Sequence, residues 1–121
     1  MVNKRNIGSE FENIASEYLK SKSVVILDKN FRSSKGEVDI IGLDGDTLVF
    51  FEVKQRKDDL SGFAEEAVGF AKQKRICAVC DHYRAVHKEY FLLGVRFDVI
   101  AIDGDHITWL KNAFEYTGLG F

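Results

Sequence analysis

Apolar and polar positions along the chain fall into segments of two periodicities. Over EFENIASEYLK, residues 10–20, the apolar side chains of Phe11, Ile14, Ala15, Tyr18 and Leu19 recur every three or four residues, which predicts an amphipathic helix with Ser9 as its N-cap. VVIL at 24–27 is a short unbroken apolar run and predicts a buried strand, with a polar loop over SSKG at 33–36. GEVDIIGLDGDTLVFFEVKQR, residues 36–56, holds two strongly apolar runs on either side of Asp44-Gly45. An Asp-Gly pair in that setting predicts a two-residue hairpin, because glycine accepts the positive φ that the turn demands. From about Phe63 to Tyr83 the positions Ala67, Val68, Ala71, Ile76, Val79, Cys80 and Tyr83 fit a second helix, interrupted near Gly69. RFDVIAID and DHITWL follow as two more strands around Asp103 and Gly104, and the tail from Lys111 shows no clear period. The order helix, three strands, helix, two strands predicts an α/β (α+β) fold, a central mixed sheet flanked by helices.

The hairpin places its charges together. A turn at Asp44-Gly45 sets Leu43 opposite Asp46, Asp39 opposite Phe50 and Glu37 opposite Glu52. Asp39 and Glu52 are then diagonal neighbours on one face, roughly 7 Å apart at Cα. Lys54, two residues beyond Glu52, points the same way. Val38, Ile40, Val49, Phe51 and Val53 form the opposite, apolar face. Ile41, Leu43, Leu48 and Phe50 continue the first face as core, so both sides are covered, as in central strands. Carboxylate oxygens in pairs suit Mg²⁺ (or Mn²⁺), and Mg²⁺ keeps several waters and binds phosphate oxygens. A neighbouring lysine can steady developing negative charge or help to deprotonate an attacking water. Phosphodiester hydrolysis is the reaction that matches. The same spacing also suits an ion-paired strand end in solvent, although Glu37 directly opposite Glu52 would repel it.

Length and composition narrow the reading without deciding it. A chain of 121 residues is about one domain, taken here as 1–121. No apolar run reaches the roughly 20 residues that span a bilayer, and MVNKRNIGSE lacks an apolar leader. The expectation is a cytoplasmic protein with no membrane partner. A net charge of −2 excludes strong non-specific DNA binding over the whole surface, so a nucleic-acid surface has to be a local patch such as KQKR at 72–75. Cys77 and Cys80 have no second pair with which to hold zinc and read as buried thiols. His82, His87 and His106 show no ligand spacing, and Trp109 reads as core, although an exposed aromatic can stack on an unpaired base.

Asp39 followed after a hairpin by Glu52-Val53-Lys54 resembles the core motif of PD-(D/E)XK nucleases. More of the chain resembles the bacterial YraN-like family, a group similar to archaeal Holliday junction resolvases. The likeness runs from Gly8 through GEVD at 36–39, VFFEVKQR at 49–56, AVGFAKQKR at 67–75, RFDVIAI at 96–102 and KNAF at 111–114. The resemblance implies a restriction-endonuclease-like fold with Asp39 and Glu52 as metal ligands and Lys54 as catalytic lysine. It also implies Glu12 as the acidic residue that completes the site, and Gln73 as a polar site position on the second helix. Ser9 and Glu12 equally spell an S-x-x-E capping box. Nucleic-acid contacts are expected from Arg32, Lys35, Arg56, Lys72, Lys74 and Arg75. The implied activity is a Mg²⁺- or Mn²⁺-dependent endonuclease acting on structured or branched DNA. A homodimer is expected if two strands of a junction are cut. Two other readings stay open: a nucleic-acid-binding module with little catalysis, and a structural interaction domain.

Overall fold

The structure is a computed structural model and describes residues 4–55 and 68–117. Among these, helix α1 (Lys4–Ser21) is followed by strands β1 (Val25–Ser33), β2 (Gly36–Asp44) and β3 (Thr47–Gln55). Helix α2 (Phe70–Val86), a short 3₁₀ turn at Lys88–Tyr90, and strands β4 (Gly94–Asp103) and β5 (His106–Leu110) complete the order. The strands form one sheet in the order β1-β2-β3-β4-β5. β3 and β4 run parallel and every other neighbouring pair antiparallel. A parallel neighbour requires a crossover, and α2 lies within it. The α-β-β-β-α-β-β order and mixed sheet are those expected from the sequence, consistent with a restriction-endonuclease-like core.

The helices cover opposite faces. Ala15 and Leu19 of α1 pack on Ile40, Val49, Phe51 and Ile100. Ile76, Val79, Cys80 and Tyr83 of α2 pack on Ile41, Leu48, Phe50 and Phe97. Leu48 and Phe50 thus face α2 while Val49 and Phe51 face α1, the period of two that the sequence implied. Phe50 and Phe51 are almost wholly buried, and each contributes on the order of 1.5–3 kcal/mol through the area removed from water. Val38 departs from the expected pattern. It packs in the α2-side cluster, although Ile40, two residues on, packs on the α1 side. Strict alternation in β2 therefore breaks at Asp39.

Four boundaries differ from expectation. α1 begins at Lys4, so Ser9 lies within the helix and not at its N-cap. Gly8-Ser9 costs a helix only about 1 kcal/mol or less per residue, and a helix already nucleated propagates through it. β1 extends to Ser33, beyond the apolar VVIL run, because β2 supplies partners for its main chain from Val25↔Leu43 to Ser33↔Gly36. Its polar residues, a bulge between Ile26 and Asp28, and Asn30 at φ 55° suit an edge strand. Gly69 is extended and α2 starts immediately after it, so Val68 is buried ahead of the helix, and residues 63–67 lie outside the described residues. The β2–β3 turn is centred on Gly45-Asp46, with Asp44 paired to Thr47 and only Gly45 of the two at positive φ, 61°. That is the type II′ pattern, and it shifts the register expected for an Asp44-Gly45 turn by one residue on each strand.

Gly42 and the C-terminal tail fix the edges. A Cβ on Gly42 would lie 2.8 Å from the Val25 carbonyl oxygen and 3.0 Å from Val24 Cγ1, so β1 can close on β2 only over glycine. The tail, which showed no period, is held by tertiary bonds. Ala113 N–H donates to Phe97 O at 2.7 Å, Phe114 is buried, and the Tyr116 hydroxyl donates to buried Asp81 on α2.

Candidate active site

The paired register of β2 and β3 runs from Asp44↔Thr47 to Ile40↔Phe51. One step further along lie Asp39 and Glu52. Here the Asp39 side chain takes over from the main-chain ladder, with Oδ2 accepting the Val53 N–H at 2.8 Å. β3 meanwhile stays paired to β4 as far as Gln55↔Ile102. The end of β3 is thus held rigidly on one flank and met by a carboxylate on the other.

Glu52 is 5% exposed, and its Oε1 accepts the Lys72 ammonium at 2.5 Å. Burial, and then the charge of Asp39, push the Glu52 carboxyl up to about 7, against the pull of Lys72 and Lys54. Lys54, half-buried on β3, is therefore close enough to act electrostatically on Glu52. Glu12 reaches the same place from α1. Its carboxyl is raised above the ordinary range by burial, a hydrogen bond with Asn30 opposes the shift, and the charge of Asp39 and a hydrogen bond with it add to it. Glu12 therefore belongs to the carboxylate cluster. The capping box fails because Ser9 has no capping position.

Glu37 does not crowd Glu52. It pairs across β1–β2 with Arg32, Nε to Oε2 at 3.2 Å, both side chains largely exposed. The register shift is the reason: it aligns Asp39, in place of Glu37, with Glu52. The crowding expected of Glu37 passes to Asp39 and Glu12.

Beside the carboxylates, an open cleft of about 450 Å³ is lined by Arg32, Ser33, Gly36, Glu37, Lys72 and Arg75. Gly36, at φ 143°, would place a Cβ 3.6 Å from Arg75 Cβ and from Val79 Cγ2. That contact is ordinary, so it is the positive φ and not a lack of space that calls for glycine here, and α2 lies against this end of β2 with Arg75 and Val79. Of the expected nucleic-acid contacts, the cleft collects Arg32, Lys72 and Arg75. Lys35 sits exposed in the β1–β2 turn, where its N–H donates to Ser33 Oγ at 3.1 Å. Lys74 places its ammonium over the Phe70 ring, 4.8 Å from the centroid. Arg56 lies outside the described residues. Gln73 donates from Nε2 to Val68 O at 2.8 Å, which ties the start of α2 to the segment before it.

The donor set fits a hard divalent cation. Asp39 and Glu52 offer carboxylate oxygens close enough to act on one another, and Mg²⁺ needs only one or two such ligands besides water and phosphate. Among the described residues no group of three or more His, Cys, Asp or Glu side chains is arranged to hold a metal ion by itself, so substrate or water oxygens would complete the shell.

Two partnerships were not visible in the sequence: Lys72 with Glu52, and a second buried carboxylate at Asp98. Asp98 accepts bonds from Arg96, Trp109 Nε1 and the Asn112 N–H. The hint was a carboxylate inside the apolar run FDVIAI, two residues after an arginine.

The chain also resembles proteins from distant bacteria over almost its whole length. A UPF0102 protein of Vibrio campbellii is 38% identical over 118 residues, covering 95% of this chain and 97% of the relative. One from Thermodesulfovibrio yellowstonii is 42% identical over 108 residues, covering 89% and 95%. One from Clostridium botulinum is 38% identical over 120 residues, covering 92% and 95%. The model of the family described as "Uncharacterised protein family UPF0102" matches residues 11–102, a span that takes in Glu12, Asp39, Glu52, Lys54 and the cleft residues. The chain therefore belongs to family UPF0102.

Proposed function

We propose that this protein is a divalent-metal-dependent endonuclease that hydrolyses phosphodiester bonds in structured or branched DNA. The observation that carries the reading is the meeting of Asp39, Glu52 and Glu12, from three different elements, with Lys54 near enough to act on Glu52 and Lys72 linking Glu52 to the Arg32–Arg75 cleft. Asp39 and Glu52 would hold Mg²⁺ or Mn²⁺, which when bound supplies Lewis-acid polarisation of the phosphoryl group. Lys54 places a positive charge where the phosphoryl oxygens gain negative charge. Arg32 and Arg75 present planar guanidinium groups, which suit phosphate oxygens, and so orient the backbone in the cleft. Glu12, raised by burial, is placed to exchange a proton at the Asp39 end of the site.

Incubating the protein with labelled four-way junction, duplex and single-stranded DNA, in Mg²⁺, Mn²⁺ or chelator, tests this directly. Metal-dependent cutting that prefers the junction is expected, with Asp39→Asn and Lys54→Ala each slowing it by about 100-fold or more. Cutting that persists in chelator, or in Asp39→Asn, overturns the reading. The close Lys72–Glu52 pair favours a second reading, a nucleic-acid-binding module with little catalysis. In that case gel shifts with the junction would appear without products in any metal.

A further inference from the structure

Lys72 belongs to two places at once. Its ammonium lies 2.5 Å from Glu52 Oε1, and its side chain also lines the cleft with Arg32 and Arg75. The two partners differ in access: the Glu52 side chain is 6% exposed and that of Lys72 36%. The lysine therefore reaches the buried carboxylate from the cleft side, with part of its length in solvent. A lysine side chain has a flexible four-carbon stem, so its head can move several ångströms by rotamer changes alone. Leaving Glu52 uncompensated is unfavourable, because a buried charge that loses its partner keeps its desolvation cost. Another cation at Glu52 would remove that cost and free Lys72 to leave.

The cleft has a use for the ammonium once it is free. Arg32 is partly neutralised by Glu37 at 3.2 Å, and Lys72 is neutralised by Glu52. Among the described residues, Arg75 lines the cleft with no carboxylate within salt-bridge distance. A released Lys72 would add a full charge to the cleft that the two arginines also line.

We propose that Lys72 is the resident counter-ion of the metal position in the ion-free protein, and that a divalent cation binding to Asp39 and Glu52 hands its ammonium to a phosphate of the nucleic acid in the Arg32–Arg75 cleft. The proposal rests on the metal-site reading above and adds coupling to it. Metal entry strengthens phosphate binding, and by linkage phosphate binding strengthens metal binding by the same factor. The site then assembles fully only when both ligands are present.

Binding measurements separate this proposal from the reading beneath it. Mn²⁺ affinity is measured by electron paramagnetic resonance on the full chain, without DNA, for wild type, Lys72→Met and Asp39→Asn. Affinity for a labelled duplex oligonucleotide is measured by fluorescence anisotropy with Ca²⁺ or with chelator. Lys72→Met is expected to bind Mn²⁺ about tenfold more tightly than wild type, and Asp39→Asn to lose binding. Ca²⁺ should tighten duplex binding by wild type and do so far less for Lys72→Met. If Lys72→Met proves unfolded by circular dichroism, Lys72→Gln, which keeps a donor for Glu52 without the charge, takes its place with the same expectation. Equal Mn²⁺ affinity in wild type and the lysine variant overturns the exchange and leaves the metal site standing. No Mn²⁺ binding in either, with or without duplex, overturns both.

Discussion

Two buried carboxylates stand in neighbouring strands, and the protein treats them in opposite ways. Asp98 on β4 is fully buried and surrounded by donors: Arg96 Nε at 2.9 Å, Arg96 Nη2 at 2.9 Å, Trp109 Nε1 at 2.8 Å and the Asn112 N–H at 2.9 Å. Arg96 is itself held by Asp44 at 2.8 Å. Glu52 on β3 is almost as deeply buried, yet it faces the like charge of Asp39 and is pushed up to about 7 despite Lys72. A buried charge that is fully hydrogen-bonded rigidifies the structure around it. One left beside a like charge keeps an electrostatic cost that a further cation would relieve. Asp98 explains why β4, β5 and the tail stay together. Glu52 is the position at which the proposed cation would act.

The comparison breaks most visibly at Asp98. Asp98→Ala would leave the Trp109 and Asn112 donors unpaired and Arg96 with Asp44 as its remaining carboxylate, and is expected to cost about 3 kcal/mol or more in urea denaturation. A loss below about 1 kcal/mol would put Asp98 in the same class as Glu52. Glu52→Gln, by contrast, removes a repelling charge and should leave the metal-free protein as stable as wild type or more so.

The next effect is on pH. The Glu52 pKa is raised from 4.5 to about 7 on folding, so between those values the folded protein holds a proton that the unfolded chain has released. The stability this contributes is fully present below about 4.5 and is lost as pH rises through about 7, and the loss totals about 3 kcal/mol at most. Metal-free wild type should therefore lose stability from pH 5 to pH 8 relative to Glu52→Gln. Parallel curves for the two proteins would remove Glu52 as the titrating group.

Saturating metal sharpens the contrast from the other side. At about 100 times its dissociation constant, Mg²⁺ or Mn²⁺ would stabilise the fold by roughly 2.7 kcal/mol, several degrees in melting temperature. Asp39→Asn should abolish most of that shift, and Asp44→Asn, which touches the Asp98 network, should leave it intact. An equal shift in both variants would place the ion elsewhere. The smallest expected effect calibrates the scale. Glu17→Ala breaks the Lys20–Glu17 pair, 3.0 Å apart with both side chains mostly exposed, and should change stability by less than about 0.5 kcal/mol.

The order of elements, the two faces of β3, and the placing of Asp39, Glu52 and Lys54 at one end of adjacent strands were legible in the sequence. Each depends on local periodicity and on a short hairpin, which are properties of residues a few positions apart. The turn shows where local information stops. Glycine at 45 permits a turn centred on either side of it, and only the packed sheet selects Gly45-Asp46, which aligns Asp39, and not Glu37, with Glu52. β1 was half hidden because Asp28, Lys29, Asn30 and Arg32 carry no strand period, yet β2 offers them main-chain partners. Glu12 meeting Asp39, Lys72 closing on Glu52, and Asp98 gathering Arg96, Trp109 and Asn112 all join segments brought near only by folding. The sequence by itself determined which residues could carry charge and on which kind of element. Which counter-ion each charge meets was decided by the tertiary structure, because burial and Coulomb interaction depend on distances through space that chain periodicity does not encode.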